Sequence, residues 1–474
     1  MKELLTGATS VDITPVLPVS LVGQYYRRLA TRVYSKLRAQ ILAVEGASGS
    51  VIFVACDLLG VPDKVQEEIR RAIQKLAPEI PVENVILSAI HTHTAPHITV
   101  DHGSVTWGRD FDWFPAVENE MTPDAYRAQI VAAIANGVVT AWNSRRPAIF
   151  STGLDHVSIS HNRRSVYADG TAVMYGNTNR PDFVRLEGGG DDGIHFMAFE
   201  DAEKGGLIGA VIELACPSQV LEHHDYVASD FWEEARQIVA RDWGEEAVLV
   251  GLCGAAGDLS PRTLHYREAQ ARRMGLKYDL PYDIKKVEPN NDQEYNKVMG
   301  ERYDIAERIM DAVKEIYSWA SKEIYTEPEL RHKMEKITIQ KRLVTDEEAQ
   351  ECRDKLAELE TLEPKQEDYT DEEYRKAASR YTSVKNRHLR GLERYEKQME
   401  DPVIHTVVHA VRVGEIAFAS NRFEMYQDYM HRIQARSPFM QTFVVQLAGA
   451  EGGNYLATHR GAEAKGYSAS MFCN

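Results

Sequence analysis

Short runs of Ile, Val, Leu and Ala alternate along this chain with segments of helical periodicity, and the alternation limits the folds that it can adopt. Residues 39–44 and 50–55 are apolar runs, whereas residues 63–76 repeat their apolar side chains at helical spacing. The same order returns over residues 84–89 and 123–142. Runs that are apolar throughout are typical of strands buried on both faces. The sequence therefore predicts an α/β fold, with mixed, largely buried β-sheets flanked by helices.

The rest of the chain continues this pattern and adds one charged insertion. Further strands are predicted over residues 148–152, 193–199, 207–214, 247–252, 333–343, 403–412, 415–419 and 443–447, and further helices over 231–241, 292–321 and 423–434. Residues 345–401 are instead dense in Glu, Lys and Arg at helical spacing, which predicts an inserted helical hairpin. We interpret the hairpin as a solvated structural arm, with a lid or a dimer contact as the alternative. Residues 1–474 are thus predicted to form a single domain that bears this hairpin.

The net charge and composition limit the classes of molecule that can bind the protein. The formal net charge is -16, and no basic stripe offsets it, which excludes nucleic acid as a partner. No apolar run is long enough to span a bilayer, and the first residues lack the apolar core of a secretory signal. These features predict a cytoplasmic protein, although a secreted protein trimmed of its leader would look the same. The remaining partners are a small-molecule, lipid-amide or glycan substrate and a second copy in a homo-oligomer.

Cysteine usage agrees with a reducing compartment. The five cysteines are an odd number and show no paired spacing. That pattern is typical of reduced thiols and not of a disulfide framework.

Two histidines follow the apolar run at residues 84–89. His91 and His93 are alternate residues, and alternate residues of a strand point to the same side. Imidazole is the commonest protein ligand for metals such as zinc and is a general base near neutral pH. The pair therefore indicates a metal-assisted active site. The alternative is a pair of solvated or hydrogen-bonded loop residues, because two ligands do not define a metal site.

Polar residues also follow other predicted strands, and strand ends of α/β sheets are where reactive groups gather. These residues are Asp57, Cys216 with Glu222, His223 and His224 beyond it, Asp258 and Ser260, Glu424, and Tyr455 with Tyr467. Gly-Asp and Ser-Pro pairs are ordinary turn formers as well. It is the repeated placement at strand ends that favours one shared site.

Taken in order, these segments resemble the neutral ceramidase family in its N-terminal catalytic domain. The matching segments are residues 8–15 (ATSVDITP), 91–96 (HTHTAP), 162–163 (NR), 257–261 (GDLSP) and 455–458 (YLAT), together with Glu424 after a strand and Tyr467. The histidine motif and the Gly-Asp-x-Ser-Pro motif are fairly specific when they occur together. The resemblance implies a zinc-dependent amidase.

In that family two histidines, a glutamate and a tyrosine hold the metal. By position, His91, Glu424 and Tyr455 match three of these ligands. Cys216 stands where the second histidine is expected, and a thiolate is a good zinc ligand, so we expect Cys216 to complete the site. A second alternative is replacement from the adjacent loop, by Glu222, His223 or His224. In the third alternative no metal binds and Cys216 is a packed thiol.

The resemblance also suggests roles for four other residues. His93 would accept a proton from the metal-activated water, or would support its neighbouring ligand. Tyr467 would donate a hydrogen bond to a developing oxyanion. Arg163, or alternatively Arg164, would anchor a polar or anionic part of the substrate. Ser260 would orient the substrate or the water, because no base with an orienting partner accompanies it as a serine nucleophile would require.

Three functions follow from these residues. The leading hypothesis is a zinc-dependent hydrolase that cleaves an amide bond with a metal-activated water, as a neutral ceramidase does. An alternative is a carbohydrate-active enzyme on the same metal site (a glycan hydrolase, deacylase or lyase), which the aromatic residues Trp107, Trp113 and Phe114 would suit. A non-catalytic binding protein is the other alternative, and the missing second histidine motivates it.

Overall fold

The computed structural model of the protein describes residues 4–99, 117–280, 292–449 and 455–473. Its strands are β1 (Leu5–Asp12), β2 (Val19–Leu21), β3 (Arg28–Ala30), β4 (Arg38–Glu45), β5 (Ser50–Cys56), β6 (Val85–Ala89), β7 (Arg146–His156), β8 (His161–Asn162), β9 (Arg164–Tyr167), β10 (Ala172–Met174), β11 (Phe183–Leu186), β12 (Gly193–Asp201), β13 (Leu207–Leu214), β14 (Val248–Cys253), β15 (Leu259–Ser260), β16 (Leu330–Gln340), β17 (Val403–Val413), β18 (Ile416–Ser420), β19 (Glu424–Met425), β20 (Gln441–Val445) and β21 (Tyr455–Leu456). Its α-helices are α1 (Asp63–Leu76), α2 (Pro123–Asn143), α3 (Trp232–Trp243), α4 (Arg267–Tyr278), α5 (Asp292–Ala320), α6 (Asp346–Glu360), α7 (Asp371–Lys397), α8 (Gln427–Arg436) and α9 (His459–Glu463).

The largest sheet contains eight strands in the order β14-β13-β12-β7-β1-β4-β5-β6. Its parallel pairs are β5 with β6 and β13 with β14, and its other neighbours are antiparallel. Only Leu5 and Thr6 of β1 pair with β7, so two four-stranded halves meet at a narrow junction. Strand β14 also contacts β4, β5 and β6, which brings the two halves close together.

The central strands are apolar on both faces because each face is covered. Phe53 of β5 packs on Phe418 of a second sheet, with ring centroids 4.8 Å apart, and that sheet has the order β16-β17-β18-β20. Ile52 and Val54, on the opposite face of β5, lie in one cluster with Ile69 of α1 and other residues of α1 and α2. Helices α3 and α5 contribute to a second cluster over the β12–β14 half. These layers confirm the predicted mixed α/β fold.

Local sequence explains where two of these helices begin. Helix α1 places Val65, Ile69 and Ile73 four residues apart on its buried face, and its bounds are those that the sequence predicts. Helix α2 begins after Thr122, whose side chain accepts a hydrogen bond from a backbone amide of the first turn. Such a cap replaces one of the hydrogen-bond partners that a helix start lacks.

The predicted hairpin at residues 345–401 is present as helices α6 and α7, between strands β16 and β17. Capping boxes at Thr345 and Thr370 start the two helices. Tyr395 near the end of α7 donates to Asp346 at the start of α6 at 2.6 Å, so the helices are antiparallel. Cys352 is fully buried against Met471 of the C-terminal segment, with their sulfur atoms 3.4 Å apart. The hairpin therefore contacts the C-terminal segment through Cys352, while many side chains of both helices are exposed.

Two further expectations concern the whole chain. The five cysteines all have free, buried thiols, in agreement with reduced cysteines. Across the described residues, the length and hydropathy of the helices provide no candidate for a membrane span.

Candidate active site

The turn after β6 brings His91 and His93 together. His91 has a φ of 66°, a left-handed value that is uncommon for residues other than glycine. This backbone turns its ring so that Nδ1 donates to the carbonyl oxygen of Leu59 at 2.9 Å. The His93 ring lies against Gly23, where a Cβ atom would be only 2.7 Å from it. The two imidazoles meet edge to face, with ring centroids 5.0 Å apart.

A pair of two-residue strands brings in the acidic and phenolic groups. In this parallel pair, Glu424 of β19 lies opposite Tyr455 of β21. Oε2 of Glu424 is 3.3 Å from Nε2 of His91. The hydroxyl of Tyr455 is 2.7 Å from that of Tyr467. Residues from three distant parts of the sequence thus share one site.

The turn that carries Gly257 packs against this pair of strands. The Gly257 amide donates to the carbonyl oxygen of Met425 at 2.7 Å. A side chain at Gly257 would collide with the backbone of Glu424. The glycine of the Gly-Asp-x-Ser-Pro motif is therefore required for close backbone approach. Asp258 beside it accepts hydrogen bonds from Gln427 and Asn162, so its carboxylate stabilises the turn.

The side chain of Cys216 lies in the apolar core of the protein. Its thiol is within 3.6 Å of the Ile159 carbonyl oxygen and 3.8 Å of the Pro217 carbonyl oxygen, inside an apolar cluster. Burial raises the pKa of this thiol well above its ordinary value. Among the contacts within the described ranges, none joins Cys216 to His91 or Glu424. These contacts favour the alternative in which Cys216 is a packed thiol over the expectation that it completes the ligand set.

Gln219, three residues further on, is the residue of this turn that reaches the histidines. Its Nε2 is 2.7 Å from Nε2 of His93. Its Oε1 accepts a hydrogen bond of 3.0 Å from Arg163. Sequence reasoning missed Gln219, and its position in the same strand-end turn as Cys216 is the signal that could have found it.

Of the three loop residues considered as replacements, Glu222 lies next to the histidine pair. Its Oε2 is 3.7 Å from Nδ1 of His93, and its Oε1 accepts from Arg262 at 2.9 Å. The side chain of His223 is 55% exposed. His224 stacks on Tyr226, with ring centroids 5.0 Å apart. Glu222 therefore lies behind His93, on the side away from Gln219.

Arg163 lies inside the site and is enclosed by acceptors of the protein itself. Its terminal nitrogens donate to Gln219 and Gly257 at 3.0 Å and to the Tyr175 hydroxyl at 3.1 Å. A longer hydrogen bond of 3.5 Å reaches the Tyr455 hydroxyl. The guanidinium thus connects three parts of the site: the turn after β13, the turn that carries Gly257, and the pair of tyrosines.

Arg164 and Ser260 have supporting positions. Arg164 forms a fully buried ion pair with Glu187 at 2.6 Å and donates to Ser468 at 3.1 Å, next to Tyr467. Ser260 is buried, and its Oγ accepts a hydrogen bond of 3.2 Å from Tyr175. Among the described residues, the hydrogen bonds of the Ser260 hydroxyl are with Tyr175 and the Arg262 amide, and neither is an activating base.

Burial dominates the electrostatics of the site. The pKa of His93 is held well below its ordinary value, first by burial and then by the charge of His91. Burial also raises the pKa of both Tyr455 and Tyr467 well above the ordinary value, and further negative charge adds to this effect. The site therefore presents a neutral imidazole beside two protonated phenols, which are a proton acceptor and two hydrogen-bond donors.

The tautomers of the two histidines follow from their partners. The Leu59 carbonyl oxygen can only accept, so Nδ1 of His91 carries the proton and the neutral ring has its lone pair on Nε2. The Gln219 oxygen accepts from Arg163, so its amide nitrogen donates to Nε2 of His93, which is then also an acceptor. The two Nε2 atoms are 3.4 Å apart, and the carboxylate of Glu424 adjoins them. The Nε2 lone pair of His91 therefore faces the Glu424 carboxylate at 3.3 Å.

These donors fit a metal ion bound by three protein side chains. Two ligands of a tetrahedral zinc ion lie about 3.4 Å apart, and the 3.3 Å separation of His91 Nε2 and Glu424 Oε2 agrees with that value. Within the part of the chain that the structure describes, no three His, Cys, Asp or Glu side chains are grouped to hold a metal. The phenol of Tyr455, opposite Glu424 in the strand pair, is a further oxygen donor at this end of the site. Three protein ligands and an open position are typical of catalytic zinc sites.

The aromatic residues that favour a glycan substrate, Trp107, Trp113 and Phe114, lie outside the described residues.

Comparison with known proteins identifies solved structures that have a similar fold. Neither family models nor curated protein sequences gave a match to the chain. The solved structure of neutral ceramidase from Pseudomonas aeruginosa superposes with a TM-score of 0.67 at 16% identity, over 99% of this chain and 71% of that one. A ceramidase complexed with C2 gives a TM-score of 0.65 at 16% identity, over 100% and 72% of the two chains. The protein is thus a mixed α/β protein of the class that these enzymes define.

More particularly, the chain has a neutral ceramidase-like fold along its whole length, as the sequence motifs predict. At this level of identity the likeness establishes the fold alone, since one fold supports many activities. Function has to be argued from the site.

Proposed function

We propose that this protein is a metal-dependent hydrolase that cleaves an amide bond, in the manner of a neutral ceramidase. The observation that supports the proposal is the convergence of His91, His93, Glu424, Tyr455 and Tyr467 in one buried site. The fold adds support, since both solved structures that it resembles are described as ceramidases.

His91, Glu424 and Tyr455 would hold the metal, and zinc suits this mixture of nitrogen and oxygen donors. Bound there, zinc would lower the pKa of a water molecule to about 7 and polarise a carbonyl group. The tetrahedral spacing of His91 and Glu424 supports this assignment. Cys216 has no part in it, because its thiol is packed in the core.

His93 would be the general base. Its imidazole is neutral, and its Nε2 lies 3.4 Å from Nε2 of His91 with the lone pair accepting from Gln219, so that proton uptake there would displace the Gln219 amide. Gln219 positions this nitrogen from one side, and Glu222 faces the Nδ1–H from the other. As the attacking water loses its proton to Nε2, the carboxylate of Glu222 would stabilise the resulting imidazolium.

Tyr467 and Arg163 would stabilise the charge that develops on the carbonyl oxygen. The hydroxyl of Tyr467 is protonated and lies beside Tyr455, so it can donate to an oxyanion. Arg163 holds Tyr455 and Gln219 in place and adds a fixed positive charge behind them. Donors that are fixed before the reaction stabilise a transition state without reorganisation. Ser260, through Tyr175, supports the same network.

The proposal is tested by assaying two classes of substrate with and without a chelator. N-dodecanoyl amino acids and N-dodecanoyl amines represent amides, and p-nitrophenyl glycosides represent glycans. We expect release of dodecanoate from the amides, loss of that activity after chelation, and recovery on adding zinc. Cleavage of the glycosides alone would favour a carbohydrate-active enzyme. Absence of turnover in both classes, with no bound metal and no change of thermal stability on adding zinc, would favour a binding protein.

A further inference from the structure

Helix α7 of the inserted hairpin places a cation beside the candidate catalytic tyrosines. The guanidinium carbon of Arg387 lies 4.4 Å from the ring centroid of Tyr25 and 5.8 Å from that of Tyr467. It also lies 5.5 Å from the ring of Phe472. The rings of Tyr25 and Tyr467 are themselves edge to face at 5.9 Å. Arg387 thus stands one aromatic layer away from the hydroxyl pair of Tyr455 and Tyr467.

The hairpin holds this part of α7 firmly against the segment that carries Tyr467. Arg394, two turns after Arg387, donates to the carbonyl oxygens of Met471 at 3.1 Å and Cys473 at 2.6 Å. Between them, His388 meets the ring of Phe472 edge to face at 5.1 Å. The position of Arg387 over the tyrosines is therefore set by the packing of the helix and not by a mobile side chain alone.

Arg387 differs from the other arginines near the site in what surrounds its charge. Arg163 and Arg28 are buried, and their terminal nitrogens donate to protein acceptors. Arg164 is paired with the carboxylate of Glu187. Among the described residues, the contacts of the Arg387 guanidinium are with the aromatic faces of Tyr25, Tyr467 and Phe472. In a protein with a net charge of -16, a cation with no carboxylate partner is notable.

The position is also accessible. Tyr25, which packs under Arg387, is 36% exposed, whereas Tyr455 deeper in the site is buried. The sequence of rings from Tyr25 through Tyr467 to Tyr455 therefore leads from the surface to the candidate metal ligands. A substrate that reaches Glu424 and Tyr455 from this side would pass beside the guanidinium.

We propose that Arg387 is a specificity-determining residue that binds a carboxylate group of the substrate. A single guanidinium presents two parallel N–H groups that match a carboxylate, and aromatic rings below it hold the guanidinium plane. The substrate is then an N-acyl compound that carries a free carboxylate, such as an N-acyl amino acid. This inference rests on the proposed amide hydrolysis and makes its substrate class specific.

The test compares matched probes that differ only in charge. N-dodecanoylglycine carries the carboxylate on the amine side of the amide bond, and N-dodecanoylglycinamide is its neutral match. Decanedioic acid monoanilide carries the carboxylate on the acyl side, and decananilide is its neutral match. We expect the wild-type protein to prefer one charged probe over its match by about 10- to 100-fold in kcat/KM, mostly through KM.

Three variants test whether Arg387 causes the preference for the charged probe. Arg387→Gln should bring the ratio of kcat/KM between the charged and neutral probes close to one, and Arg387→Lys should retain part of the preference because the charge remains without the planar fork. Arg380→Gln is the matched control, since Arg380 is an exposed cation two turns earlier on α7, over Tyr26 at 6.0 Å. It should behave as the wild type. Circular dichroism melting checks that all three variants are folded.

The outcomes separate this inference from the proposed function. Equal turnover of charged and neutral probes by the wild type, or an unchanged preference in Arg387→Gln, would overturn the carboxylate role while hydrolase activity stands. If no probe is hydrolysed, the proposed function fails, and calorimetric titration with N-dodecanoylglycine decides the inference alone. Binding that is lost in Arg387→Gln and kept in Arg380→Gln supports the role of Arg387. Equal binding, or no binding, in all the proteins overturns it.

Discussion

Strands β6 and β13 both end in a turn with a potential metal ligand, yet only one of these turns delivers that side chain to the site. After β6, His91 points at Glu424 across 3.3 Å. After β13, the thiol of Cys216 points into the core, and Gln219 reaches the histidines instead. The two turns look equivalent in sequence, because each places a good zinc ligand just beyond an apolar run.

The difference between them shows that a ligand is defined by the direction of its side chain as much as by its chemistry. His91 adopts a left-handed φ of 66°, which rotates its ring toward the site. Cys216 leaves β13 within a turn whose next residues, Pro217 and Ser218, are held by the body of the protein: Ser218 donates to the carbonyl oxygen of Ile90 at 2.7 Å. The histidine turn thus supplies a ligand, and the cysteine turn supplies a residue that orients one of the histidines.

The largest expected losses of metal and activity come from substituting the two histidines in the turn after β6, and they differ between His91 and His93. His91→Ala should abolish both metal retention and amide hydrolysis, because it removes a ligand. His93→Ala should keep the metal and slow turnover by about 10²- to 10⁴-fold, as loss of a general base does. Metal content by plasma emission spectroscopy and hydrolysis of N-dodecanoyl amides measure the two effects. Equal metal loss in both variants would show that His93 is a ligand too.

An intermediate loss of activity is expected from substituting Gln219 in the turn after β13. Gln219→Ala removes the amide that donates to Nε2 of His93, so the ring loses one of its two orienting contacts. We expect kcat to fall about 10-fold, with metal content unchanged. Gln129→Ala is a suitable control, since this amide on α2 bonds the Thr14 carbonyl oxygen far from the histidines. Loss of metal from Gln219→Ala would mean that the amide belongs to the metal site.

The smallest expected effect is at Cys216. Cys216→Ser should leave metal content and turnover as in the wild type, because the thiol lies in the core. Burying a hydroxyl in place of the thiol should lower the free energy of unfolding by about 1–2 kcal/mol, measured by urea denaturation. Cys253→Ser, the neighbouring buried thiol at the end of β14, should behave in the same way. Reduced zinc occupancy in Cys216→Ser alone would restore thiolate ligation.

Most of the long elements are predictable from sequence because their apolar residues repeat with one period. Helix α1 and strand β13 have the predicted bounds, and the charged segment at 345–401 forms the predicted helical hairpin. Each of these segments buries a regular face, so local pattern and tertiary contact agree.

Short elements are not predictable in the same way. Strands β8 to β11 and helix α4 lie in a part of the chain for which the sequence predicts no element, and two of these strands have fewer than four residues. Residues 423–434 were expected to be one helix, whereas Glu424 and Met425 pair as strand β19 and the helix begins at Gln427. Pairing with β21, which is distant in sequence, outweighs helical periodicity there.

The sequence by itself determined the layered α/β architecture and the candidate chemistry at His91, His93, Glu424, Tyr455 and Tyr467, because apolar periodicity and motif order are local properties. Only the tertiary structure decided that Cys216 lies in the core, that Gln219 orients His93, and that Arg387 of the hairpin stands over Tyr467. The physical reason is that side-chain direction at a strand end depends on backbone dihedrals and on contacts with residues that are distant in sequence, which no local pattern encodes.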